Sequence, residues 1–133
     1  GWGYGSKKII DAMNLIKPPF NVNQIAQIAA TEALKDRNFI KRSVVHNTIA
    51  ANKIKKFLEN YDIYSNDVTA NFLFLNFDKC KFPANYIFKK LQLKKIILRS
   101  TREGYNIKNK LRLTIGSNKE NNKFMKAIST IFN

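Results

Sequence analysis

Apolar residues recur along this chain at two spacings, and the change from one to the other divides it. Up to about Tyr61 they return every three or four positions, as on one side of an α-helix. Ile9, Ile10, Met13 and Ile16 predict a helix over residues 6–16. Pro18-Pro19 ends it, since the first ring disfavours helix at Lys17 and neither nitrogen can donate. Asn21 or Asn23 then caps a second helix to about Leu34, with Ile25, Ile28 and Ala29 facing inward. Ala26, Ala29, Ala30 and Ala33 make it slim, which suits close helix or subunit contact and follows equally from the helix propensity of Ala. Asp36 opens the longest stretch, running to about Tyr61 through Val45, Ile49, Phe57 and Leu58. Its length, roughly 37 Å at 1.5 Å per residue, is that of a helix joining two domains.

Beyond the polar turn Ser65-Asn66-Asp67 the period drops to two. Ala70 to Phe77 is apolar on both faces, Leu73 and Leu75 on one and Phe72 and Phe74 on the other, so such a strand has to be covered twice. Pro83 suits the first position of a helix carrying Ala84, Ile87, Phe88 and Leu91. Lys95 to Arg99 reads as a short strand, and residues 100–109 as a polar loop. Leu111-Arg112-Leu113-Thr114-Ile115-Gly116 is the clearest strand of all, with three apolar side chains on one face and Lys110, Arg112 and Thr114 on the other. Ser117 and Glu120 form a capping box for a last helix with Phe124, Ile128 and Ile131 on its inner face. The fold class expected is α+β: a helical N-terminal half, then a small, mostly antiparallel sheet with helices packed on it.

Composition changes this picture little. A formal charge of +15, from 24 basic and 9 acidic residues, invites a polyanion-binding or RNA-binding reading. Yet 19 of the basic residues are scattered Lys, accompanied by 17 Asn and 16 Ile, the joint bias of an A- and T-rich genome, and a solvated Lys surface accounts for the excess. Phe72 and Phe74 lack the Gly and basic neighbours of RNA-stacking aromatics and read as core. The single Cys80 forms no internal disulfide and points to a reducing compartment; no apolar run reaches the ~20 residues of a membrane span, and the location expected is cytoplasmic.

The sharpest chemical candidates are Arg99 and Arg112. A hairpin joining their strands brings two guanidinium groups together, an arrangement suited to an anionic ligand, although sheet edges carry Arg for solubility as well. His46 has no Cys or second His at ligand spacing, so a packed or solvated ring is the simpler reading than a metal site. Gly1-Trp2-Gly3-Tyr4-Gly5 lacks the strand and spacing of a phosphate loop, and no Ser/His/Asp set stands out as a nucleophile. On its own residues the chain offers a binding surface and no catalytic machinery.

Several motifs occur here in one order: Gly1-Trp2-Gly3-Tyr4-Gly5, Lys17-Pro18-Pro19-Phe20-Asn21-Val22-Asn23, Asn71-Phe72, Ile96-Ile97-Leu98-Arg99, and Leu111 to Gly116. Together they resemble the C-terminal part of the histidinol-phosphate aminotransferase family, within the class I/II pyridoxal-phosphate enzymes, over essentially the whole chain. The resemblance implies the small domain of a fold-type I aminotransferase: residues 1–35 as the tail of the large cofactor domain, 36–61 as the interdomain helix, and 62–133 as the small C-terminal domain. It implies a cytoplasmic homodimer that transfers an amino group between histidinol phosphate and 2-oxoglutarate, or glutamate in reverse, with pyridoxal 5'-phosphate. Pro18 to Asn23 would then lie near the dimer interface. Arg112 matches the Arg that binds the substrate carboxylate, and Arg99 one that helps hold the anionic end. A related aminotransferase or decarboxylase for another phosphorylated amine or amino acid fits the same pair. Two departures are visible: Lys95 stands where the family has Gly, and the Schiff-base Lys and phosphate-gripping Arg belong upstream of Gly1. By that resemblance the chain is expected to be a truncated portion, binding no cofactor and inactive alone.

Overall fold

Strands β2 (Phe72–Asn76) and β4 (Lys110–Thr114) are the centre of a four-stranded sheet in the computed structural model, which describes residues 3–102 and 106–133. They pair antiparallel with Phe74 opposite Arg112 and Phe72 opposite Thr114, and the Ile115 amide continues the ladder to the Asn71 carbonyl at 2.8 Å. The two-residue strands β1 (Tyr64–Ser65) and β3 (Arg99–Ser100) complete the order β1-β2-β4-β3, every pair antiparallel.

The period-two pattern decides which face is covered. Leu73, Leu75, Leu111 and Leu113 are buried on one side, where they meet Ala50, Ala51, Ile54 and Leu58 of α3 (Arg37–Glu59), Ala84, Ile87 and Leu91 of α4 (Ala84–Leu93), and Phe124, Ala127 and Ile128 of α5 (Asn118–Phe132) in one core. Phe57, Tyr61, Phe82 and Phe132 pack tilted against one another beside it, and the Tyr61 hydroxyl bonds Ser129 at 3.1 Å. Phe72 and Phe74 stand half-buried on the opposite face, so they are not core as the sequence suggested; Leu73 and Leu75 fill that role.

Helix ends follow their capping residues. Ser117 and Glu120 make both bonds of the capping box, and the Glu120 carboxylate also takes the Ser117 hydroxyl at 2.7 Å. Pro83 is the N-cap of α4, one position earlier than expected, with its missing N–H costing nothing there. After α4 the Lys95 amide reaches the Gln92 carbonyl and the Ile96 amide the Leu91 carbonyl, a Schellman turn whose left-handed residue is Lys95, φ 57°. The turn that a family Gly would make is therefore made by a Lys. It carries the chain out of helix over residues 94–95, and the strand expected from Lys95 to Arg99 shrinks to Arg99–Ser100, leaving Ile97 83% exposed.

Two compact units divide the chain, Gly1–Ile40 and Lys41–Asn133. In the first, α1 (Lys7–Ile16) and α2 (Gln24–Lys35) form where expected, and the Asn23 side chain caps α2 through the Ala26 amide at 2.8 Å. Asp36 likewise caps α3 through the Phe39 amide. No residue of α1 or α2 is buried: Ile9, Met13, Ile16, Ile25 and Ile28, expected to face inward, are exposed. Val45 and Ile49 of α3 are exposed as well, and its buried stripe is the Ala50, Ala51, Ile54, Leu58 face instead. Part of the glycine-rich opening, Gly1 and Trp2, lies outside the described residues, as do residues 103–105 of the polar loop. Among the described residues no helix is long and apolar enough to cross a membrane.

Candidate functional site

The face of the sheet opposite the core carries both candidate residues, Arg99 and Arg112, at neighbouring positions. The β3–β4 pairing puts Arg99 directly opposite Arg112, and directly opposed residues share one face of the sheet. Arg99 is exposed; Arg112, on the central strand, is half-buried. Thr101 closes the hairpin, its buried hydroxyl lying 3.0 Å from the Ile107 carbonyl and 2.9 Å from that of Lys110.

Arg112 has no acid. Among the described residues no carboxylate pairs with either Arg, and the buried Nε of Arg112 has no hydrogen-bond partner. A buried unpaired donor costs about 1–3 kcal/mol, and a like charge directly across the ladder adds to that. The ring of Phe72, with its centroid 4.9 Å from the guanidinium carbon, offsets part of the cost. Among the described residues the Arg112 guanidinium is thus held against an aromatic ring and not against an acid.

The acids nearby are engaged elsewhere. Asp78, beyond the Asn76–Lys110 end of the central ladder, receives Lys110 at 3.1 Å and Asn109 at 3.2 Å, and these bonds hold its carboxyl below the usual range. Glu120 is held low by the Ser117 hydroxyl and amide. Burial pushes the Cys80 thiol up, which keeps it a poor nucleophile. His46 is a packed side chain: its Nε2 lies 2.9 Å from the Gly116 carbonyl, which can only accept, so Nε2 carries the proton.

Gly116, just past β4, is gripped from three directions. Its amide donates to Asn121 Oδ1 at 3.0 Å, and its carbonyl accepts from Asn121 Nδ2 and from His46, each at 2.9 Å. A Cβ at Gly116 would come within 2.8 Å of the Glu120 carboxylate, so a side chain there would disturb the capping box. This clamp fixes the end of the strand that carries Arg112. Asn121, His46 and Phe72 all support the site and none was singled out for it in the sequence; the two contacts to Gly116 span helices and turns that periodicity cannot join.

Two shallow cavities lie in the Lys41–Asn133 unit, one between Lys95–Leu98 and the Leu113–Gly116 and α5 residues, the other around Pro83, Phe88 and Lys108–Leu111. Arg112 lines neither of these two. No Lys is buried among the described residues.

Comparison with known proteins supplies the family. The model for aminotransferase class I and II matches residues 1–128. The histidinol-phosphate aminotransferase of Pelagibacter ubique (strain HTCC1062) is 70% identical over 133 residues, covering 100% of this chain and 37% of that protein. A crystal structure of histidinol-phosphate aminotransferase from Clostridium acetobutylicum matches with a TM-score of 0.79 at 22% identity, over 94% of this chain and 38% of that one. The Sinorhizobium meliloti enzyme of the same name, in complex with pyridoxal-5'-phosphate, matches at 0.71 and 18%, over 91% and 34%. At these identities the structures speak for the fold alone, which is the fold-type I aminotransferase arrangement expected for the sheet and its helices. The chain thus spans about 37% of the length of a curated relative that it matches along its whole extent, and it belongs to the class I and II aminotransferases.

Proposed function

We propose that this chain is the C-terminal portion of a histidinol-phosphate aminotransferase, in which Arg112 binds the substrate carboxylate during the glutamate half-reaction and Arg99 helps hold the anionic end of the other substrate. The observation that carries the reading is the unpartnered Nε of Arg112 on a half-buried side chain that pairs with no acid among the described residues. A guanidinium offers parallel N–H donors that match a carboxylate or a phosphate, and the pair at 99 and 112 doubles the charge available to a dianion. The 70% identity to the Pelagibacter ubique protein favours histidinol phosphate over other phosphorylated amines.

In this reading residues 1–35 end the large domain, 36–61 join the domains, and 62–133 form the small one. Pyridoxal 5'-phosphate belongs to the full-length enzyme, held by residues upstream of Gly1, and the whole works as a cytoplasmic homodimer. The apolar side chains left exposed on α1 and α2 support partners for that segment, since contiguous apolar surface of this kind is normally covered.

In the full-length enzyme Arg112→Ala lowers kcat/KM for glutamate by about a hundredfold or more, the loss expected when one side of a charge-assisted bidentate contact is deleted. Arg99→Ala weakens the phosphorylated substrate more than glutamate. An Arg112→Ala enzyme with an unchanged glutamate half-reaction would show the assignment to be wrong.

A further inference from the structure

We propose that Phe72 is the positioning residue of this site: its ring carries the Arg112 guanidinium, which pairs with no carboxylate among the described residues, fixing the cation while leaving its donors for substrate. The proposal rests on Arg112 being the carboxylate-binding group. In the ladder Arg112 faces Phe74, yet its guanidinium carbon lies 4.9 Å from the centroid of Phe72, the diagonal neighbour paired with Thr114. The side chain therefore leans along the sheet toward Thr114 and away from the Asn76–Lys110 end, where Lys110 and Asn109 already occupy Asp78.

The choice of partner matters chemically. A carboxylate would take two of the five guanidinium N–H groups and neutralise the charge. An aromatic face attracts the cation through its quadrupole and uses none of those donors. Phe72 is not needed to fill the core, because Leu73 and Leu75 on either side of Phe74 are 0% and 1% exposed on the opposite face while Phe72 stays half-buried. Its position in the sheet is explained by what it supports.

The test compares Phe72→Leu, Phe72→Tyr and Arg112→Lys in the full-length enzyme, reading kcat and KM for glutamate separately. Phe72→Leu keeps an apolar side chain and removes the quadrupole; the expected result is a rise in KM of about tenfold, ~1.4 kcal/mol, with kcat changed less than about twofold. Phe72→Tyr, which restores the aromatic face, returns KM to within about threefold of the parent. Arg112→Lys loses the fork itself and raises KM further. If Phe72→Leu leaves KM unchanged while Arg112→Lys raises it, the positioning role is overturned and the carboxylate role stands. Equal effects of Leu and Tyr would reduce Phe72 to packing and also overturn the proposal. If Arg112→Lys leaves KM unchanged, the carboxylate role falls and takes this inference with it.

Discussion

Replacing Asn121 with Ala removes two hydrogen bonds to a single peptide unit, and the structure says what each leaves behind. The Gly116 carbonyl keeps its bond to His46 at 2.9 Å, so it remains satisfied. The Gly116 amide loses its acceptor, Asn121 Oδ1 at 3.0 Å, and has no other partner in a half-buried position. Two net hydrogen bonds at about 1 kcal/mol each, with a further ~1 kcal/mol for the stranded amide, give about 3 kcal/mol. The better helix propensity of Ala returns roughly 0.5 kcal/mol, leaving about 2–3 kcal/mol. For a domain of this size that lowers Tm by on the order of 10 °C or more. Urea unfolding of this chain followed by circular dichroism measures it, with Asn122→Ala as the control, since Asn122 is exposed and receives only Lys53 at 3.3 Å. The control should change stability by less than about 0.5 kcal/mol. If Asn121→Ala and Asn122→Ala unfold at the same urea concentration, Gly116 is not clamped as described, and the fixed end of β4 goes with it.

Three further outcomes follow from particular residues. Lys95→Gly stabilises the chain by about 0.5–1 kcal/mol in the same assay, because an exposed L-residue held at φ 57° gives way to one without a Cβ; destabilisation would mean that the Lys side chain has a role of its own. Glu120 and Asp78 have carboxyls held below their unfolded values by Ser117 and Lys110 respectively, so their contribution is present above about pH 4–5 and is lost as pH falls through the lowered values. The urea midpoint accordingly falls on acidification, less steeply for Glu120→Gln; identical acid limbs for parent and variant would contradict the capping-box account. Leu111→Ala, at a core position 2% exposed, costs about 2–5 kcal/mol, and a loss under 1 kcal/mol would remove β4 from the core.

Much of the fold was legible because it is written in short-range signals. Ser117 and Glu120 announce a helix three residues apart, and the alternation from Leu111 to Ile115 assigns faces without any partner. Burial was less legible. Ile25 and Ile28 carry a helical stripe that none of the described residues covers, and Val45 and Ile49 a stripe displaced from the Ala50, Ala51, Ile54, Leu58 face that joins the core. A stripe records that a surface is to be covered, not by what. The shortened β3 reflects a local event, a Schellman turn placed at Lys95 that consumes residues whose β-branched side chains favour a strand. At the site, the motif gave Arg99 and Arg112, and their proximity needed only a hairpin. Phe72 needed the register of β2 against β4 and His46 a contact across 70 residues of chain, which no periodicity encodes, whereas Asn121 reaches back only five residues to Gly116.

The proposal turns on the Arg112 guanidinium, which pairs with no acid among the described residues, receiving a substrate carboxylate. A crystal structure of the full-length enzyme with glutamate bound tests it most directly. The expected result is two Arg112 nitrogens about 2.7–2.9 Å from the two oxygens of one substrate carboxylate, with the Phe72 ring still beneath the guanidinium. A carboxylate held by other residues, with Arg112 turned to an acid of the protein, would contradict it.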